Sequence, residues 1–211
     1  MQHFSPTTIA TWERFYRANF INSLSGYKSA CLIGTVHANG KPNLAIFSNI
    51  VHLGADPALI GFVNRPIAAA PHTLQNIERS KQYTMNLVQA NMLPAAHQTS
   101  AKYPADADEF TASGLTPIYR TGLVAPFVAE SAIQFSLSLK EIVPITYNQT
   151  YFVIGAVEEV FCAEGLLQPD GFIAHHLAQT ICTSGLDAYY QPHFIERYAY
   201  AKPEKSPEIL R

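Results

Sequence analysis

Apolar residues recur at roughly helical spacing between Thr8 and Leu24, at Trp12, Phe15, Phe20, Ile21 and Leu24. Ser and Thr ahead of them can cap a helix and Gly26 can stop it, so a first helix is expected over 8–24. The pattern then changes to strand-like runs, 29–36 (SACLIGTV) and 43–51 (NLAIFSNIV), either side of Ala38-Asn39-Gly40-Lys41-Pro42. Asn-Gly between two β-rich runs predicts a hairpin. After the Asp56-Pro57 turn, 58–63 reads as a strand, 73–79 as a short helix and 83–88 as another strand. The segment 94–108 reads as loop and short helix, and Asp106, Asp108 and Glu109 read as a helix start, with acids at its positive end. Alternation over 131–143 and 150–162, across Tyr147-Asn148-Gln149, predicts a second, longer hairpin. A closing helix is expected over 170–182, and an irregular tail over 185–211, which carries Pro192, Pro203 and Pro207.

At least six short strands, mostly in hairpins, argue for a mainly β fold with helical insertions, a barrel rather than a doubly wound sheet. The 211 residues contain no polar or repetitive stretch that would divide them, so one domain over 1–211 is expected. The chain is 48% hydrophobic and only 14% charged, against about 25% charged in an average globular protein. Either the core is large or a partner subunit covers part of the surface.

A net charge of −2, from 16 acidic and 14 basic residues scattered along the chain, leaves no basic stripe for nucleic acid. The N-terminus MQHFSPTTIATWERF has no basic segment leading into an apolar run, and no apolar stretch reaches spanning length, so no membrane association and a cytoplasmic location are expected. Cys31, Cys162 and Cys182 are odd in number and far apart, as suits reduced packing thiols. No G-x-S-x-G, P-loop, H-E-x-x-H or strand-borne G-x-G-x-x-G motif occurs. His175 and His176, adjacent on the expected helix, would point about 100° apart and not share a metal, so no metal site is assigned.

Three segments together carry a resemblance. They are Asn43 to Phe62 (NLAIFSNIVHLGADPALIGF); His72-Thr73-Leu74-Gln75-Asn76-Ile77 with the strand Tyr83 to Val88; and Ser100-Ala101-Lys102 with Glu109-Phe110 and Gly114-Leu115-Thr116. In order and spacing they resemble the flavin-reductase-like family of FMN-binding split barrels, in the branch that includes flavoredoxin-type proteins. Phe127-Val128-Ala129-Glu130-Ser131, Gly185 to Tyr190 and Tyr200-Ala201-Lys202-Pro203 extend the likeness, which runs from about Phe15 to Pro203. The resemblance implies a homodimer of Greek-key split barrels with one FMN per subunit near the interface. One departure is Pro71, where this branch often has a basic residue before the His-Thr pair.

His72 and Thr73, opening a helix, offer a hydroxyl and free N–H groups to an FMN phosphate. Arg65, Ser100 and Lys102 could add charge-assisted hydrogen bonds if their loops converge. The same residues also fit a capping threonine beside solvated cations. Phe47, Ser48, Asn49 and Ile50, with Phe62, are the candidates to line the flavin ring; they equally fit a buried barrel strand. Flavin carries the redox chemistry itself, so no catalytic residue is assigned, and His97 and Glu130 are left as structural or solvated side chains. The expected function is an NAD(P)H-dependent flavin reductase or oxidoreductase. The alternatives are a non-enzymatic FMN electron carrier working with an acceptor protein, and a flavin-free small-ligand barrel. No motif separates NADH from NADPH.

Overall fold

The computed structural model describes residues 1–104 and 106–210; Ala105, in the stretch expected as loop and short helix, and Arg211, at the end of the expected tail, lie outside the described residues. The helix expected over 8–24 is in fact two, α1 (Pro6–Ala10) and α2 (Arg14–Ser23). The break is local chemistry: the Glu13 carboxylate accepts from the N–H groups of Phe15 and Tyr16, at 2.8 and 3.1 Å, and so starts a new helix.

After the two-residue β1 (Lys28–Ser29), β2 (Cys31–Val36) and β3 (Pro42–Phe47) form the first hairpin. Its turn uses Gly40 at φ +84°, a conformation that favours glycine. The strand expected over 43–51 does not run through: β3 stops at Phe47, and β4 (Ile50–Ala55) pairs instead with β5 (Ala58–Asn64). Asn49 makes the break, its amide donating to the Val63 carbonyl at 2.8 Å and accepting from the Val63 N–H at 3.2 Å.

The chain continues through α3 (Pro71–Ser80), β6 (Gln82–Leu87), α4 (Leu93–Gln98), α5 (Glu109–Ser113) and the small pair β7 (Pro117–Ile118) and β8 (Phe127–Val128). The long hairpin β9 (Ile133–Ile145) and β10 (Thr150–Cys162) follows, then β11 (Cys182–Ser184) and β12 (Ala188–Tyr190). Seven strands form one antiparallel sheet in the order β3-β2-β6-β9-β10-β5-β4. Its two edge strands are separated in the chain only by Ser48 and Asn49, so Phe47 and Ile50 lie within about 11 Å of each other. The sheet must therefore curl until its edges meet, yet β3 and β4 do not pair: the fold is a split barrel with Greek-key connections.

The closing helix expected over 170–182 is absent. Gly171 and Gln179 take left-handed φ values of +86° and +53°, and the Ile181 N–H bonds the Val88 carbonyl beside β6 at 3.0 Å. Ala174, Ala178 and Ile181 are buried at helix-like spacing, but an irregular chain puts them there. His175 and His176 sit exposed on a turn, where His176 stacks on Phe194. The tail is irregular after β12, which pairs with β11.

β2 is buried on both faces because it separates two apolar layers. Cys31 and Ile33 point into one, with Phe62, Tyr83, Phe135 and, from α3, Leu74 and Ile77. Ala30 and Leu32 point into the other, beneath α4 and α5, with Val88, Ala96 and Phe110. The three cysteines are free thiols; burial pushes Cys31 up to about 12. No helix among the described residues is long and apolar enough to cross a membrane.

Candidate functional site

The break at Ser48-Asn49, the loop after β5, the start of α3, the loop after α4 and the start of α5 surround a cavity of about 470 Å³, within the size range of cofactor sites. Each wall has a local cause. α3 begins at Pro71, and its N-cap, Ala70, has no side chain able to cap the helix. Proline at the first helical position sacrifices no useful donor, so Pro71 leaves the amides of His72 and Thr73 at an uncapped helix start. The loop leading there is clamped by buried Asn64, whose amide donates to the carbonyls of Arg65 at 2.7 Å and Ala70 at 3.1 Å. Opposite, α4 ends in turns closed by Thr99 and Ser100, which carry Ser100, Ala101 and Lys102 to the rim.

Of the ten residues expected from sequence, Phe47, Ser48, Asn49, Arg65, His72, Thr73, Ser100 and Lys102 line this cavity. Ile50 and Phe62 do not. Phe62 is fully buried beneath Phe47, ring centroids 5.0 Å apart, and Ile50 packs on the same apolar layer. The Asn49 side chain is committed to Val63, so only its remaining surface faces the cavity. His97, which accepts or donates at 2.8 Å to the Tyr189 hydroxyl, and Glu130, which accepts from the Thr116 N–H, stand outside it.

Sequence patterns did not single out Asn43 or Glu109 as cavity residues. Glu109 is buried in the wall, with Oε2 accepting from the Leu44 N–H at 2.6 Å. Burial pushes its carboxyl up to about 7, the Leu44 N–H opposing and Asp108 adding to the rise. Behind the wall runs a buried polar network. The Asn76 amide donates to Thr35 Oγ1 at 3.1 Å and lies 3.4 Å from His37 Nδ1; Asn43 meets Thr35 at 3.0 Å and Thr73 at 3.5 Å. His37 packs edge-on against His72, and burial, His72 and Arg79 all hold its imidazole below the ordinary range. Only the spacing of Glu109 from Ser100 in the family-like stretch hinted that it belongs here.

The donor set suits an organic phosphate. Two cations, Arg65 and Lys102, the hydroxyls of Thr73 and Ser100 and an uncapped helix start line the cavity, together with the apolar Ala45, Ile46, Phe47 and Val63.

Residues 24–180 match the model of the flavin reductase like domain. Among solved structures, a split-barrel protein of Shewanella frigidimarina assigned as a flavin reductase is 45% identical, covers 95% of this chain and 100% of its own, and superposes with a TM-score of 0.92. Nitrilotriacetate monooxygenase component B of Bacillus cereus shares the fold at 20% identity, with 93% and 98% of the two chains covered and a TM-score of 0.83. Flavoredoxin of Desulfovibrio vulgaris does so at 20% identity, 86% and 93% coverage and a TM-score of 0.71. The chain also spans 59% of the length of a curated relative from Aquifex aeolicus, 27% identical over 115 residues.

Proposed function

The chain belongs to the flavin reductase like family, and from that premise we propose that it is a cytoplasmic FMN-binding oxidoreductase, a homodimer of one-domain subunits, reduced by NADH or NADPH. The observation that carries this reading is that Arg65, Lys102, Thr73 and Ser100 line one cavity together with the uncapped start of α3 and the apolar Ala45, Ile46, Phe47 and Val63. Arg65 and Lys102 would neutralise the phosphate of FMN, and the Thr73 and Ser100 hydroxyls and α3 amides would orient it. Phe47 and its neighbours on β3 would lie along the ring system. Bound flavin would supply the redox chemistry, accepting hydride from the nicotinamide and passing electrons to a further acceptor. The protein's part is to bind, orient and partly desolvate; hydride transfer requires no side-chain acid or base, and none is assigned.

The test is the visible spectrum of purified protein after addition of FMN and removal of the excess, followed by NADH or NADPH without oxygen. Retained flavin bands that bleach are the expected result. Retained bands that fail to bleach would point instead to an electron carrier reduced by a protein partner. Loss of the bands on removing excess FMN would overturn a bound prosthetic flavin.

A further inference from the structure

Glu109 is only 6% exposed, yet it lines the cavity, and it forms no ion pair among the described residues. Its two oxygens stand in different surroundings. Oε2 accepts from the Leu44 N–H at 2.6 Å. The Asn43 amide nitrogen adds a second donor to Oε2 at 3.3 Å, with the amide oxygen accepting from the Thr35 hydroxyl and the Leu44 N–H, the orientation that sets donor against acceptor at all three contacts. Oε1 accepts nothing from the described residues and is not enclosed by them, so on a side chain that lines the cavity its open side is the cavity. A carboxyl oxygen so far from bulk water is costly to leave unpaired. It is also held in place: α5 is started by Asp108, whose carboxylate takes the Thr111 N–H at 3.1 Å, and Leu44 is paired with Gly34 across the β2–β3 hairpin. Oε1 is therefore a preorganised hydrogen-bonding group facing a ligand space.

Its position limits what can reach it. One end of the Asn43 amide lies 3.3 Å from Glu109 Oε2 and the other 3.5 Å from Thr73 Oγ1, so a single amide group separates the carboxyl from the start of α3. With the phosphate of FMN at that helix start, the N–H of the isoalloxazine ring falls at the far end of the ligand. The hydroxyls of the ribityl chain begin on the carbon next to the one that carries the phosphate, and they are the donors within reach.

We propose that Glu109 Oε1 is the partner of a ribityl hydroxyl of the bound flavin, so that the site recognises the polyol chain as well as the phosphate. This rests on the reading of the cavity as a flavin phosphate site. An alcohol both donates and accepts, so the bond is available to either protonation state of a carboxyl that burial holds near 7. It also gives an acidic side chain a purpose in a cavity that holds Arg65 and Lys102, since hydroxyls accept a carboxyl neighbour that a second anion would not.

Dissociation constants are measured on wild type and Glu109→Ala for FMN and for the flavin phosphate in which an unsubstituted pentyl chain replaces the ribityl chain. The two ligands share ring and phosphate, so a change of charge at position 109, or a loosened cavity wall, acts on both alike and the cycle isolates the hydroxyls. The preference of wild type for FMN over the pentyl compound should fall about tenfold in E109A. Glu109→Gln can keep its oxygen on the Leu44 N–H and offer its NH2 to the hydroxyl, and should retain most of that preference. An unchanged preference in E109A would overturn the proposal while leaving flavin binding intact. Failure of wild type to bind FMN would sink both the proposal and the functional reading. Should E109A not fold, Glu109→Met, close to the native side chain in length, takes its place in the same cycle with the same expected loss, and an unchanged preference there overturns the proposal equally.

Discussion

A carboxyl held near 7 inside the fold, against an ordinary 4.5, binds a proton that the unfolded chain has already released. Its contribution to stability is therefore complete below about pH 4.5 and is lost as the pH rises through about 7, a span on the order of 3 kcal/mol at about 1.36 kcal/mol per unit. Glu109→Gln removes that dependence while keeping an acceptor for the Leu44 N–H. In urea titrations the variant should gain on wild type between about pH 5 and about pH 8 by most of this amount; a constant difference would mean that Glu109 is not buried as a neutral acid. The cations at the rim act differently, through the ligand. Lys102→Ala should weaken FMN about tenfold at low salt and leave riboflavin almost unchanged, because only the phosphate receives its charge-assisted bond. Equal losses for both flavins would place Lys102 away from the phosphate.

The elements differ in how far local sequence specifies them. Asn39-Gly40 marked the β2–β3 turn, and the alternation of β9 and β10 marked the long hairpin, since both signals are contained in the segments themselves. Asn49, by contrast, ends β3 by bonding Val63, fourteen residues away, which no pattern within 43–51 reveals. The helix expected over 170–182 came from real apolar spacing at Ala174, Ala178 and Ile181, satisfied instead by a chain pinned to Val88. The site shows the same division. Thr73 was legible as an opening-turn residue, whereas Glu109 looked like its neighbour Asp108, a true N-cap to the Thr111 N–H, because its own partner, Leu44, lies 65 residues away. Close packing of elements is equally non-local. At Gly34, in the middle of β2, an added Cβ would run into the Pro126 carbonyl oxygen, which already accepts from the Thr84 hydroxyl at 2.6 Å. Backbone cannot yield as a flexible side chain can, so Gly34→Ala should lower stability by about 1–3 kcal/mol, read as a lower urea midpoint at unchanged slope. A neutral result would mean that the β8 segment shifts freely from β2.

At the scale of the whole molecule, the apolar excess in the composition is only partly absorbed by the two core layers. α1 and α2 bury no residue, although Phe4, Trp12 and Phe20 pack edge-to-face on one another. Phe15, Leu24 and Tyr27 remain 70%, 62% and 68% exposed, so the N-terminal segment offers apolar surface that the subunit itself leaves uncovered. A second copy of the chain is the occupant that fits the proposed homodimer. α2 also connects that face to the site, for its Asn22 lines the cavity with Leu186 from the start of the tail. Association and cofactor retention should therefore fail together. Phe15→Glu combined with Leu24→Glu should convert a dimer to a monomer in sedimentation at about 10 μM, since each charge would have to be buried unpaired, and the monomer should release FMN during gel filtration while its circular dichroism is unchanged. A wild-type chain that sediments as a monomer would remove the partner from this face, and a monomeric variant that keeps its flavin would show that one subunit completes the cavity alone.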